Sequence, residues 1–121
     1  MTTRFVWIAS LAVALAAPGL AQSAGSADQA LADCRRRIDA VDARIVALLS
    51  ERAKIVQEVG RIKQQMRAPV AAPKRVDEVL RKVAARNPGP LPNEAVERIY
   101  RQIIQEMTDF ERAEIQRGSN K

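Results

Sequence analysis

Residues 28–66 have the sequence DQALADCRRRIDAVDARIVALLSERAKIVQEVGRIKQQM, and this stretch decides the fold. Apolar residues recur along it at alternating intervals of three and four: Leu31, Cys34, Ile38, Val41, Ile45, Leu48, Ile55, Val59, Ile62 and Met66. This spacing places them on one face of an α-helix, and no proline interrupts the run. The pattern predicts one long helix over about 28–66, with Ser26 and Gln29 forming a capping box at its start.

The length of this helix predicts a partner. At 1.5 Å per residue it spans roughly 58 Å, whereas a compact domain of about 100 residues has a radius of gyration of only about 13 Å. A single chain of this size cannot cover such a long apolar face. We therefore expect a second copy of the chain to cover it, in a helical homodimer.

Two shorter helices follow the long one. Pro69 and Pro73 punctuate a loop, after which residues 74–86 carry an apolar face made of Val76, Val79, Leu80 and Val83. The sequence Asn87-Pro88-Gly89-Pro90 is a firm break. A third helix is predicted from Pro92 to about Arg117, with its apolar face at Val96, Ile99, Tyr100, Ile103, Met107 and Phe110. The expected fold class is all-α, with a long, a short and a medium helix.

The N-terminal segment has the pattern of a secretory signal peptide. Arg4 is the only charged residue before Asp28, an apolar stretch follows from Phe5 to Ala17, and small residues stand at Gly19 and Ala21. The alternative, a transmembrane anchor, needs roughly 20 apolar residues, which is more than the stretch supplies. We expect a cleaved signal peptide (1–21), a flexible leader (22–27), a helical domain (28–117) and a tail (118–121). The expected location is periplasmic or secreted, with no membrane association after cleavage.

The composition narrows the possible chemistry. Without Arg4 the chain has 20 − 1 = 19 Lys and Arg against 14 Asp and Glu, a net charge of +5. There is no His, which removes the usual general base and metal ligand, and the single Cys34 cannot form an internal disulfide. The charges are interleaved and few aromatic residues accompany them, so nucleic-acid binding is not expected. We expect no metal and no cofactor.

Three charged residues break the apolar pattern. Arg52 interrupts the stripe of the long helix, and eleven residues at about 100° each bring Lys63 to within about 20° of the same direction. Glu111 lies beside the apolar face of the third helix, whereas Arg35 points elsewhere and can join Arg52 only from a partner chain. In one interpretation Arg52 fixes a coiled-coil register and pairs with Glu51 or Glu58 across the seam, while Lys63 and Glu111 are solvated. In the other, the cations form a pocket for a small dianionic molecule.

The stretch CRRRIDAVDARIVALLSERAKIVQEVGRIK (34–63) resembles the first helix of the all-α chorismate mutase family. Pro69, Arg75 and the stretch IYRQIIQEMTDFE (99–111) also match the family pattern. The resemblance implies an intertwined homodimer of three-helix chains that rearranges chorismate to prephenate without cofactor or metal. This pericyclic reaction needs a bound conformer and stabilisation of the negative charge that develops on the ether oxygen.

The resemblance also implies roles for individual residues. Arg52 would hold one substrate carboxylate, and Arg35 of the partner chain would hold the other. Lys63 and Glu111 would donate hydrogen bonds to the ether oxygen. Glu111 stands where the family often has Gln, and it can donate only when it is protonated.

Other positions depart from the family pattern. Val76 replaces a common Glu that holds the ring hydroxyl, Ala72 replaces a common Asp, and Met107 replaces a Ser of the pocket. The loop PVAAPKRV (69–76) is more similar to the related isochorismate–pyruvate lyases. The sequence therefore favours a chorismate mutase and leaves two alternatives open. These are an isochorismate–pyruvate lyase and a non-catalytic periplasmic helical binding module.

Overall fold

The computed structural model of the chain describes residues 19–120, with side chains from residue 23 onward. Three helices make up this part of the chain: α1 (Gly19–Met66), α2 (Pro73–Arg86) and α3 (Asn93–Ser119). No strand occurs within these residues. The prediction of an all-α chain with a long, a short and a medium helix is confirmed. The predicted signal peptide lies outside the described residues except for its last three positions.

Helix α1 begins at Gly19, earlier than the predicted start near Asp28. Residues of the predicted leader (22–27) are helical, although three of the six are Ser or Gly, which do not favour helix. Ser26 is therefore not an N-cap, and the prediction of a capping box was wrong. Its hydroxyl instead donates to the carbonyl oxygen of Ser23, 2.9 Å away.

Helix α1 ends in a Schellman motif. Arg67 adopts a left-handed conformation with φ 53°, which reverses the chain direction after Met66. The Ala68 N–H donates to the Lys63 carbonyl over 2.9 Å, and the Arg67 N–H donates to the Gln64 carbonyl over 3.1 Å. This turn keeps the following loop next to the last turn of α1, where Lys63 lies.

Helices α2 and α3 pack against each other. Leu80 of α2 is 5 % exposed and is the one buried apolar residue among those described. The connection between the helices is fixed by the amide of Asn87, which donates to the Leu91 carbonyl at 2.7 Å and to Asn93 Oδ1 at 2.8 Å. The two helices are thus held as a hairpin.

Among the described residues, those up to Asp42 and those from Ala43 onward form two separate compact units. In the second unit, α3 lies along the 43–66 part of α1. Gln57 Nε2 donates to Glu114 Oε2 over 2.9 Å, and Gln64 Nε2 donates to the Ile115 carbonyl over 3.5 Å. These bonds set the position of α3 on the segment that carries Arg52 and Lys63.

The apolar face of α1 is exposed in both units. Its residues are between 38 % exposed, at Val59, and 71 % exposed, at Met66; the others are Leu31, Ile38, Val41, Ile45, Leu48, Ile55 and Ile62. Within residues 19–120, none of the helices combines the length and apolarity needed to cross a membrane. In the single chain, the apolar stripe that the sequence predicts lies on the surface of α1.

Candidate active site

A cavity of about 300 Å³ lies in the second unit, between α1, the loop after it, α2 and α3. Its charged lining residues are Arg52 and Lys63 from α1, Arg75 from α2 and Glu111 from α3. We call it the cationic cavity. Its volume falls at the small end of the range for ligand sites, which suits a small organic molecule.

The structure brings most of the predicted site residues to this one cavity. Those from the second unit all line it: Arg52, Lys63, Ala72, Val76, Met107 and Glu111. Arg35 lies exposed in the unit that ends at Asp42, and its role as a partner-chain residue stays a prediction. The chemical roles of the other residues are also still predictions, although their positions agree with those roles.

Lys63 and Glu111 form an ion pair inside the unit. The ammonium nitrogen of Lys63 lies 3.0 Å from Glu111 Oε1 and 3.3 Å from Oε2, with the two side chains 20 % and 7 % exposed. Glu111 Oε1, although close to the ammonium, accepts no well-aligned hydrogen bond from any described residue. A buried carboxylate oxygen without an aligned donor is costly, so this oxygen can accept a hydrogen bond from a ligand in the cavity.

Lys63 also fixes the loop between α1 and α2. Its Nζ donates to the carbonyl oxygen of Val70 over 2.8 Å. An ammonium has three N–H donors, and Val70 and Glu111 account for two of them. The third remains available for a molecule in the cavity.

Arg52 is half-buried and makes no hydrogen bond or ion pair with the described residues. It lies on α1 within the cationic cavity rather than pointing away from it. A partly buried guanidinium without a partner favours an anion that can accept from its two-pronged donor group, and a carboxylate fits it best. Within the described part of a single chain, neither Glu51 nor Glu58 pairs with it.

Arg75 is a residue of the cavity to which sequence analysis assigned no role. It lies at the start of α2 and its guanidinium donates to Glu78 Oε2 over 2.8 Å, while Lys82 donates to Glu78 Oε1 over 2.6 Å. The hydrogen bonds from Lys82 and then Arg75 lower the pKa of Glu78 to about 2. The match of Arg75 to the family pattern, next to Val76, was the signal that pointed to the site.

The cavity has a net positive charge. Three cations and one carboxylate give 3 − 1 = +2 when Glu111 is ionised, which balances a dianion. Ala72, Val76 and Met107 supply an apolar wall. The hydroxyl of Thr108, also in the lining, is already used, because it donates to the Ile104 carbonyl over 2.9 Å. Within the described residues there is no cluster of metal ligands.

The sequence matches the family model described as chorismate mutase type II over residues 34–112. It is 36 % identical over 86 residues to the bifunctional chorismate mutase/prephenate dehydratase of Aquifex aeolicus, covering 68 % of this chain and 24 % of that protein. The Pseudomonas aeruginosa protein of the same name is 43 % identical over 75 residues, covering 58 % and 20 %. The chain thus spans about a quarter of the length of these relatives.

The similarity covers nearly the whole length of two solved structures with similar folds. The chorismate mutase of Thermus thermophilus (form II) is 36 % identical with a TM-score of 0.66, covering 68 % of this chain and 93 % of that one. The chorismate mutase of Helicobacter pylori, solved in complex with prephenate, is 27 % identical with a TM-score of 0.68, covering 73 % and 96 %.

Proposed function

The chain belongs to the chorismate mutase type II family, and from this premise we propose that it converts chorismate to prephenate in the cationic cavity. The observation that carries the proposal is the convergence of Arg52, Lys63 and Arg75 with the buried Glu111 on one small cavity. An excess of positive charge in the cavity suits a substrate with two carboxylates. The Helicobacter pylori protein with a similar fold was solved with prephenate, a dicarboxylate.

The proposed chemistry requires the chain to hold the substrate and to stabilise one developing charge. The guanidinium groups of Arg52 and Arg75 bind carboxylate, which fixes the reactive conformer and removes the entropic cost of reaching it. Lys63 donates its remaining N–H to the ether oxygen as the carbon–oxygen bond breaks. Glu111, when protonated, donates to the same oxygen. Preorganised donors of this kind stabilise a transition state more than a ground state.

The second part of the proposal is that the active form is a homodimer. The exposed stripe of α1 supports it, because contiguous exposed apolar surface of this kind marks an interaction site. Arg35, exposed on the same helix, would enter the cavity of the partner chain and bind the second carboxylate. Each cavity would then contain cations from both chains.

The third part is export to the periplasm or beyond. The apolar stretch from Phe5 to Ala17, followed by Gly19-Leu20-Ala21, supports a cleaved signal peptide. Mass spectrometry of the protein from a periplasmic extract should give an N-terminus at Gln22 or within a few residues of it. A cytoplasmic protein that begins at Met1 would contradict export without affecting the proposed activity.

The activity is tested with purified protein and two substrates. We expect loss of chorismate with formation of prephenate, and no formation of fluorescent salicylate from isochorismate. Salicylate formation alone would identify a lyase, and inactivity on both substrates would favour a non-catalytic binding module.

A matched pair of substitutions tests the cavity. Arg52→Ala removes the unpaired guanidinium and should lower kcat/KM by roughly 100-fold or more, as the loss of one preorganised donor does. Arg101→Ala removes an exposed guanidinium of α3 that makes no described contact, and it should leave kcat/KM unchanged. Full activity in Arg52→Ala would mean that Arg52 is a structural residue of the helix seam.

A further inference from the structure

Gly60 is buried, and it lies on α1 where Glu111 and Ile115 of α3 pack against that helix. Glycine in the middle of a helix costs about 0.5–1 kcal/mol relative to alanine, so its presence calls for a reason. A Cβ at this position would lie 3.2 Å from Glu111 Cγ, and 3.7 and 3.8 Å from two carbons of Ile115. Gly25 and Gly118 are also helical, but a Cβ added at either of them would have no atom within 4 Å. The lack of space is therefore specific to Gly60, and the closest atom belongs to the site residue Glu111.

Gly60 lies three residues before Lys63, which is the ionic partner of Glu111. Residues three apart lie on the same helix face, with an axial rise of about 4.5 Å. Glu111 rests its Cγ against the backbone at Gly60, and its carboxyl group reaches the ammonium of Lys63 one turn further on, 3.0 Å away. The same side chain thus takes its position from one residue of α1 and its ionic partner from another.

We propose that Gly60 is a positioning residue for Glu111: the absence of a side chain there sets the carboxyl group of Glu111 beside Lys63 and at the wall of the cationic cavity. The catalytic consequence rests on the proposed mutase function. An added Cβ forces Glu111 or its helix to move by a few tenths of an ångström. Donors in an active site are sensitive to such shifts, since a displacement of about 1 Å can cost about 100-fold in rate.

The test is Gly60→Ala, with Gly118→Ala and Gly25→Ala as controls for the same chemical change in helices with open space around the new methyl group. Gly60→Ala should lower kcat by about tenfold and change KM by less than about twofold, because the arginines that bind carboxylate do not move. Both controls should keep kcat and KM. A Gly60→Ala protein with unchanged kcat overturns the proposal.

A double-mutant cycle separates positioning from general damage to the fold. Glu111→Ala removes the Cγ that meets the new methyl group, so Gly60→Ala should cost no further activity in that background. An equal loss of kcat in both backgrounds would show that Gly60 acts through something other than Glu111, and would overturn the proposal.

A measurement made without substrate tests the positioning role of Gly60 separately from the proposed activity. The ¹³C chemical shift of the Glu111 carboxyl group, at fixed pH, should change in Gly60→Ala and stay constant in Gly118→Ala. If the wild-type protein is inactive on both substrates while this shift changes, the proposed function fails and the positioning role stands. An unchanged shift contradicts the positioning role itself.

Discussion

Lys63 is the residue on which the site depends most. Its ammonium binds the loop through the Val70 carbonyl and α3 through Glu111, while its backbone carbonyl accepts from Ala68 in the turn that ends α1. One residue therefore joins three parts of the cavity wall. Substitution of Lys63 should affect folding as well as catalysis.

Lys63→Ala leaves the carboxyl group of Glu111 buried without its cation. Breaking a buried pair from one side typically costs about 3–5 kcal/mol, so we expect a loss of this order in the free energy of unfolding at pH 7. Urea unfolding measures it, with the exposed, unpaired Lys54 of the same helix as control in Lys54→Ala. Equal stability of Lys63→Ala and Lys54→Ala would contradict the energetic role of the pair.

The proposed role of Glu111 is tested by two substitutions. Only the protonated acid can donate to the ether oxygen, and the carboxylate repels the charge that develops there. Glu111→Gln supplies an amide donor that needs no protonation, so it should retain or raise kcat/KM at pH 7, whereas Glu111→Ala should lower it. Steady-state assays of both variants and the wild-type protein measure the difference.

Glu78, a second acid near the site, does not affect this comparison. Its pKa is lowered to about 2 by Lys82 and Arg75, so it is ionised at pH 7. Its ion pair with Arg75 is therefore the same in the wild-type protein and in both variants. An inactive Glu111→Gln variant would mean that Glu111 is not the donor.

Helical periodicity alone predicted that Arg52 and Lys63 point in the same direction, and both line the cationic cavity. Periodicity could not predict the contact between Glu111 and Gly60, because that contact depends on how closely α3 packs against α1. Spacing along the chain also assigned no role to Arg75, which lies on a different helix. Distances between helices follow from packing, and no single-helix pattern contains them.

The ends of the elements were harder to predict than their faces. Helix α1 starts at Gly19 and continues through the polar break expected near Ser26. Its other end was placed correctly at Met66, although without a glycine to mark it. The left-handed position after it is occupied by Arg67, which carries a conformational cost that glycine avoids.

The C-terminus of α1 can be stabilised at this point. Arg67→Gly relieves the strain of φ 53° at an exposed residue and should raise the free energy of unfolding by about 1 kcal/mol. Arg67→Ala removes the same side chain and keeps the strain, so it should be close to neutral. Chemical denaturation of both variants measures the difference, and identical midpoints for Gly and Ala would contradict this account.

At the scale of the whole molecule, the exposed stripe of α1 predicts dimerisation. Sedimentation equilibrium of the purified protein should give twice the chain mass, and unfolding should depend on protein concentration. Ile45→Glu places a charge in the stripe and should dissociate the dimer, whereas Val46→Glu, at a neighbouring residue that is 63 % exposed and off the stripe, should not. A folded wild-type monomer at micromolar concentration would contradict the dimer and the role of Arg35.

The thin apolar core of the single chain has a consequence for its life in a cell. With Leu80 as the one buried apolar residue in the described part, a single chain has little apolar burial to keep it folded. Cellular proteases remove chains in proportion to the time they spend unfolded. If the chain folds as the proposed homodimer, sparse chains should be degraded before they meet, whereas abundant chains should protect one another. The steady-state amount of this protein should therefore rise more steeply than its rate of synthesis.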